Sequence, residues 1–223
     1  MVDSPDTLTS IVRNAQSQPR NLLVLLHGWG ANAQDVATVA DDLRLPGYAL
    51  AFPDAPFRHP YSPGGFMWYS FPEASLDDET KLDQLIGLEQ GDLQESRQRL
   101  RAWLNALCAQ LEVPLSRTIL GGFSQGGAMT LDIGPQMPLA RLMSLSGYLH
   151  RSLGNGDRPA PTLLVHGTQD AVVPVQAAHQ AHQQLTALSA SVDYHELPMG
   201  HEISSKVLNL MQSFIESTQP MID

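Results

Sequence analysis

Residues 118–128, Thr-Ile-Leu-Gly-Gly-Phe-Ser-Gln-Gly-Gly-Ala, hold one serine between two glycines in the pattern G-x-S-x-G. The run reads as an apolar strand that turns sharply into a helix opened by small residues. A nucleophile on such a turn has strained backbone angles, and side chains two residues to either side would collide; Gly122 and Gly126 remove them. Ser124 is thereby lifted clear of the strand, and the amide of Gln125 falls at a helix N-terminus, where it can stabilise an oxyanion. The pattern is short, and its context has to decide. The competing reading is the glycine-rich turn of a nucleotide-binding fold, but the chain contains neither G-x-G-x-x-G nor G-x-x-x-x-G-K-[ST].

A serine hydroxyl barely ionises at neutral pH, so it needs a base within hydrogen-bond reach and a third group to hold that base's tautomer. Of the eight histidines, His201 lies in Leu-Pro-Met-Gly-His-Glu at 197–202, beyond the last expected strand and before the last helix. Loops at strand C-termini are where open α/β sheets place their chemistry. His179 and His182 fall in a polar helical stretch and read as solvated, His195 lies within a strand, and His59 and His150 occupy loops without a supporting motif. His27 and His166 follow apolar strands and precede Gly28 and Gly167; both read as buried or turn-forming rings that satisfy backbone groups. For the orienting acid, Asp170 stands a few residues past the apolar run at 162–166. On position alone it could be a plain turn aspartate. Asp193, Glu196 and Glu202 are rivals with poorer placement, and the need for a triad favours Asp170.

The elements that must position these residues follow from the hydrophobic pattern. Apolar runs at 22–27, 48–53, 117–123, 142–146 and 162–166 read as strands, most of them continuous as in buried parallel strands, while 192–197 alternates as an edge strand would. Helices are expected at about 34–43, 92–112, 125–133, 175–188 and 204–217, with Asp92 and Glu95 standing as a capping box for the second. The predicted architecture is α/β, a mostly parallel sheet with helices on both faces, in one domain over 1–223. Residues 73–92 are strongly acidic and read as a solvated surface segment.

Composition narrows the function. Thirteen Lys and Arg against 23 Asp and Glu leave a net charge of −10, which disfavours nucleic acid or an anionic membrane as partner. The longest aliphatic run, 22–26, is far too short to cross a bilayer, and the N-terminal residues lack a secretory pattern, so the expected location is cytoplasmic. The single cysteine, Cys108, supplies neither a disulfide nor a CxxC metal pair and reads as apolar packing.

The order Ser124, Asp170, His201, each after a separate strand, is that of α/β-hydrolases. With Leu-Leu-His-Gly-Trp-Gly at 25–30, the glycine-rich serine motif, His166-Gly167 followed by Asp170 and Val173-Pro174, and Pro-Met-Gly-His-Glu at 198–202, the chain resembles the small carboxylesterases of the phospholipase/carboxylesterase family, which include bacterial esterases and acyl-protein thioesterases. The resemblance implies Ser124 as nucleophile, His201 as general base and then acid, Asp170 as its orienter, and the backbone amides of Trp29 and Gln125 as an oxyanion hole. It also implies that the Trp29 side chain walls the site and that Tyr148 and Val172 approach the acyl group. Phe66, Met67, Trp68 and Tyr69 form an aromatic cluster that either lines an acyl pocket, with Trp68 touching substrate, or packs as the core of a loop. The family often carries leucine at the position of Trp29 and Trp-Tyr-Asp where this chain has Trp68, Tyr69 and Ser70, differences that bear on the pocket. The implied protein is a cofactor-free and metal-free serine esterase, monomeric or homodimeric, acting on a small acyl ester or thioester. Longer-chain thioesterase or lysophospholipase activity, and a non-catalytic binding module on the same scaffold, are the alternatives.

Overall fold

The computed structural model describes residues 8–14, 18–71 and 91–217. In chain order the elements are β1 (Ser10–Arg13), β2 (Asn21–Leu26), α1 (Ala33–Val39), β3 (Tyr48–Pro53), the two-residue strands β4 (Phe57–Arg58) and β5 (Phe66–Met67), α2 (Gly91–Leu111), β6 (Thr118–Phe123), α3 (Gln125–Ile133), β7 (Arg141–Leu145), β8 (Thr162–Gly167), α4 (Gln176–Ala187), β9 (Val192–Leu197) and α5 (Ser205–Glu216). Seven strands form one sheet in the order β1-β3-β2-β6-β7-β8-β9, and β4 pairs with β5 in a separate ribbon. Every neighbouring pair of the large sheet is parallel except β1 with β3. The expected α/β architecture is therefore the observed one, and the alternating run at 192–197 is an edge strand.

The continuous apolar strands are continuous because both faces are covered. In β2, Leu22, Val24 and Leu26 pack toward α2 and α3 with Leu104, Met129 and Trp103, while Leu23 and Leu25 pack on the other face with Val36 of α1 and Met211 and Phe214 of α5. Cys108 is buried in the first of these layers, as its apolar neighbours indicate.

One strand was not anticipated, and one expectation changes. β1 gave no signal in the pattern, since four half-exposed residues at an antiparallel edge neither alternate nor run apolar. The capping box expected at Asp92 is not formed. α2 already includes Gly91, so Asp92 sits inside the first turn, where its carboxylate accepts from the N–H groups of Ser70 (2.6 Å) and Leu93 (2.9 Å), and Glu95 pairs with Arg99. A capping box stands instead at α1, where Asn32 accepts from the N–H of Asp35 and Asp35 accepts from that of Asn32. Residues 73–90 of the acidic run lie outside the described residues.

One charge lies inside the apolar α3. Asp132 is buried and gripped by Arg97 of α2 through both oxygens, at 2.5 and 3.0 Å, with His150 Nδ1 3.3 Å away. Burial pushes its carboxyl up, but His150 and Arg97 more than reverse this and bring it down to about 2 from an ordinary 3.8. A lowered folded-state value means that the ion pair stabilises above the unfolded value and that this stability is lost as pH falls toward the folded one. Asp132→Asn is expected to lower the unfolding free energy by about 2 kcal/mol at neutral pH. Measured by urea denaturation, the gap between wild type and variant should close between about pH 4 and pH 2. A gap independent of pH would contradict the assignment.

Candidate active site

The sheet changes direction between β2 and β6. The chain leaves β2 toward β3 on one side, and later leaves β6 toward β7 on the other, which opens a crevice beyond the strand C-termini. Ser124 stands at that crevice, directly after β6, with φ 55° and ψ −118°. This is left-handed backbone that a residue with a side chain occupies only at a cost, about 1–3 kcal/mol. The turn is possible because of its glycines. A Cβ on Gly126 would lie 2.4 Å from the carbonyl oxygen of Leu26 and 2.6 Å from that of His27, and one on Gly122 would lie 2.3 Å from the Gly126 carbonyl. The bend is further tied by Ser124 N–H donating to Leu145 O at 2.8 Å and by Ala128 N–H donating to Ser124 O at 2.9 Å.

His201 and Asp170 reach the same place from β9 and β8. Thr168 N–H bonds to Leu197 O and Gln169 N–H to Met199 O, so the two loops are stitched together. A Cβ on Gly167 would sit 2.4 Å from the carbonyl oxygens of both Met199 and Gly200. His201 Nδ1 lies 2.7 Å from Asp170 Oδ2, and its Nε2 lies 2.9 Å from Ser124 Oγ. With the carboxylate accepting at Nδ1–H, Nε2 is left as the acceptor for the serine proton. The ring leans on Phe123 at 4.7 Å between centroids. Asp170 also accepts at Oδ1 from the N–H groups of Val172 and Val173. Burial alone would raise its pKa, but the bond from His201 and those two amides together hold it below the ordinary carboxylate range, so it stays ionised.

The rings of His27 and His166 serve the backbone as the sequence indicated. His27 Nε2 accepts from Ala55 N–H at 3.0 Å, which leaves Nδ1 as the donor to Gly28 O at 2.7 Å, and burial lowers its pKa. His166 Nε2 bonds to Val173 O at 2.8 Å. Gly28 packs against Ser124, with a Cβ there 3.4 Å from the serine Cβ, so the residue before Trp29 lies against the serine turn. The N–H groups of Trp29 and Gln125 have no acceptor among the described residues. Around Trp29 the chain is held by the β5 segment, with Gly30 N–H on Phe66 O and Phe66 N–H on Ala31 O.

The four side chains expected to meet substrate divide into two pairs. Trp29 and Val172 are 43% and 49% exposed, and Trp29 stands edge-on to His59 and Phe71. Trp68 and Tyr148 present no such surface, at 0% and 1%, because hydrogen bonds draw them inward: the Trp68 indole N–H to His27 O, and the Tyr148 hydroxyl to that of Tyr69 at 2.5 Å. Tyr69 in turn meets His150 Nε2 at 2.7 Å, so the loop histidine read as unremarkable joins Asp132 to two buried tyrosines. Burial raises the pKa of both phenols, which remain neutral. The sequence signal for this network was one charge in the apolar stretch 125–133; nothing local marked His150.

A serine on a strained strand-to-helix turn, facing a histidine and aspartate from later strands of a mostly parallel sheet, defines an α/β-hydrolase. Residues 8–219 match the phospholipase/carboxylesterase family, and the chain belongs to it. It is 30% identical over 220 residues to acyl-protein thioesterase 1 of Eremothecium gossypii, covering 91% of this chain and 90% of that protein. It is 27% identical over 217 residues to lysophospholipase-like protein 1 of Mus musculus, covering 89% and 87%. Among solved structures, that of esterase PE8 superposes with a TM-score of 0.80 at 25% identity, covering 96% of this chain and all of that one. The chain is thus a hydrolase of the carboxylic ester class.

The contact of Gly126 with two main-chain carbonyls makes a strict demand. Gly126→Ala should cost about 2–4 kcal/mol of stability and at least about 100-fold in esterase turnover, since no flexible side chain is there to give way. Wild-type melting temperature and turnover in that variant would refute the packing argument.

Proposed function

We propose that the chain hydrolyses carboxylic esters or thioesters through an acyl-enzyme on Ser124. The observation that carries the reading is the hydrogen-bonded line from Ser124 Oγ through His201 to Asp170, at 2.9 and 2.7 Å. In this mechanism His201 Nε2 takes the serine proton as Oγ attacks the acyl carbon, and the carbonyl oxygen becomes an oxyanion held by the amides of Trp29 and Gln125. The histidine then gives its proton to the leaving alcohol or thiol as the carbon–heteroatom bond breaks. Water, deprotonated by the same ring, attacks the acyl-serine and restores the enzyme. Asp170 stays ionised throughout and stabilises the imidazolium. Trp29 and Val172, exposed beside the turn, supply apolar surface for the acyl group.

The substrate class in this reading is a small neutral acyl ester or thioester. No helix of the described residues is long and apolar enough to cross a membrane, and the enzyme is proposed to act in the cytoplasm, as one catalytic domain over 1–223 in a monomer or homodimer.

Ser124→Ala should lower turnover of p-nitrophenyl acetate by at least about 10⁴-fold while leaving the fold intact. A fluorophosphonate should label wild type once per chain, at Ser124; a folded protein that takes no label is a binding module. His201→Asn should lower turnover by at least about 10³-fold, and wild-type turnover in that folded variant would dismiss the histidine. A chain-length series of p-nitrophenyl esters beside acyl-thioesters ranks the substrates.

A further inference from the structure

Trp68 belongs to the aromatic cluster that the sequence offered either as the lining of an acyl pocket or as the core of a loop, and in the structure it faces inward. It is wholly buried, and it touches both segments that carry the proposed oxyanion amides. Its backbone N–H donates to Gln125 Oε1 at 2.8 Å, and its indole N–H donates to His27 O at 3.0 Å. Gln125 closes the first link from the other side, its Nε2 donating to Tyr69 O at 2.8 Å, so the side-chain amide pairs with the 68–69 backbone at two points. Ser96 Oγ donates to Trp68 O and fixes that backbone to α2.

We infer that Trp68 is a positioning residue for the oxyanion hole, setting the amides of Trp29 and Gln125 relative to each other; the inference rests on the reading of those amides proposed above. The peptide of His27 whose carbonyl the indole holds is followed by the peptide that carries Trp29 N–H, so the indole bond fixes the orientation of the loop one step before the amide. The Gln125 side chain springs from the residue whose own N–H is the second donor. One rigid ring and its backbone thus span two donors that come from different strands. A buried indole N–H needs some acceptor. Here the acceptor is the carbonyl whose position matters for catalysis. Oxyanion stabilisation depends on donors held in place before charge develops, and displacement of about 1 Å can cost about 100-fold, so a brace between the donors has a kinetic effect although it never meets substrate.

The test separates the brace from general packing. β-(3-Benzothienyl)alanine at position 68 replaces the indole N–H by sulfur and keeps the ring's size, and Trp68→Phe removes the same donor by ordinary mutagenesis. Both should lower kcat for p-nitrophenyl acetate by about 10- to 100-fold with KM nearly unchanged, because only the transition state carries the oxyanion. Affinity for an alkyl trifluoromethyl ketone, which forms an anionic tetrahedral adduct, should fall by the same factor. Affinity for the matching alcohol and the acid limb of the pH profile should stay as in wild type. If the benzothienyl variant keeps wild-type kcat and ketone affinity, or if alcohol affinity and pH profile move as well, Trp68 is packing and the inference fails. Wild-type protein without esterase activity or fluorophosphonate labelling would instead overturn the reading of Ser124, a distinguishable result.

Discussion

The structure of the site depends on a contact between main chains with nothing between them. The first turn of α3 presses on the last carbonyls of β2, and only a hydrogen at the Gly126 Cα fits into the gap. That approach forces the chain to reverse within one residue, and Ser124 takes the positive φ that the reversal requires. The strain cannot relax, because the same turn is held by β6 before it, by Leu145 of β7 through the Ser124 N–H, and by the helix through Ala128. A cost of about 1–3 kcal/mol is tolerable where three strands of a seven-stranded sheet over-determine the geometry. The same close approach brings the β2 loop to the turn that carries the serine, so the strain and the proposed oxyanion site have one origin.

The acid and base side repeats the device. Gly167 at the end of β8 meets the carbonyls of Met199 and Gly200, and two further amide bonds stitch the Asp170 loop to the His201 loop. The site is therefore built in two halves, one carrying the Ser124 hydroxyl and the two amides proposed as oxyanion donors, the other carrying the imidazole and its carboxylate. They join through the 2.9 Å contact of His201 with Ser124 and through the ring of Phe123 beneath the imidazole. Catalytic alignment is in this sense a property of how neighbouring strands end.

Much of this was legible in the sequence, for physical reasons that differ by element. Buried parallel strands must be apolar on both faces, and the Leu-Leu-Val-Leu-Leu of β2 therefore announces itself, whereas the half-exposed Ser-Ile-Val-Arg of β1 obeys no such constraint. Ser124, Asp170 and His201 were visible because the turn needs glycines and the loops follow recognisable strands. The way Trp68 and Tyr148 face was not, since neither an aromatic cluster at 66–69 nor a resemblance that names Tyr148 says which way a side chain points. Their polar tips decided that, finding His27 O and the Tyr69 hydroxyl inside the loop. The side-chain role of Gln125 was hidden for the same reason: its partners, the Trp68 N–H and Tyr69 O, lie more than fifty positions away.

The division between buried and exposed groups around Ser124 also divides the energetics. Trp29 and Val172 stand in solvent, and in the proposed reading they offer only area, which binds substrate and transition state alike and acts mainly on KM. The side chains of Gln125, Trp68 and Asp170 make their hydrogen bonds to the backbone and to the His201 ring, and in the proposed mechanism they act where charge appears, on the oxyanion and the imidazolium. Trp29 belongs to both groups: its indole is exposed surface, while its N–H lies on a loop whose neighbouring peptides are hydrogen-bonded to Trp68, His27 and Phe66. A side chain at that position is consequently free to vary with the acyl group while the peptide carrying it is not, which is the pattern expected when one scaffold keeps its chemistry and exchanges its substrates.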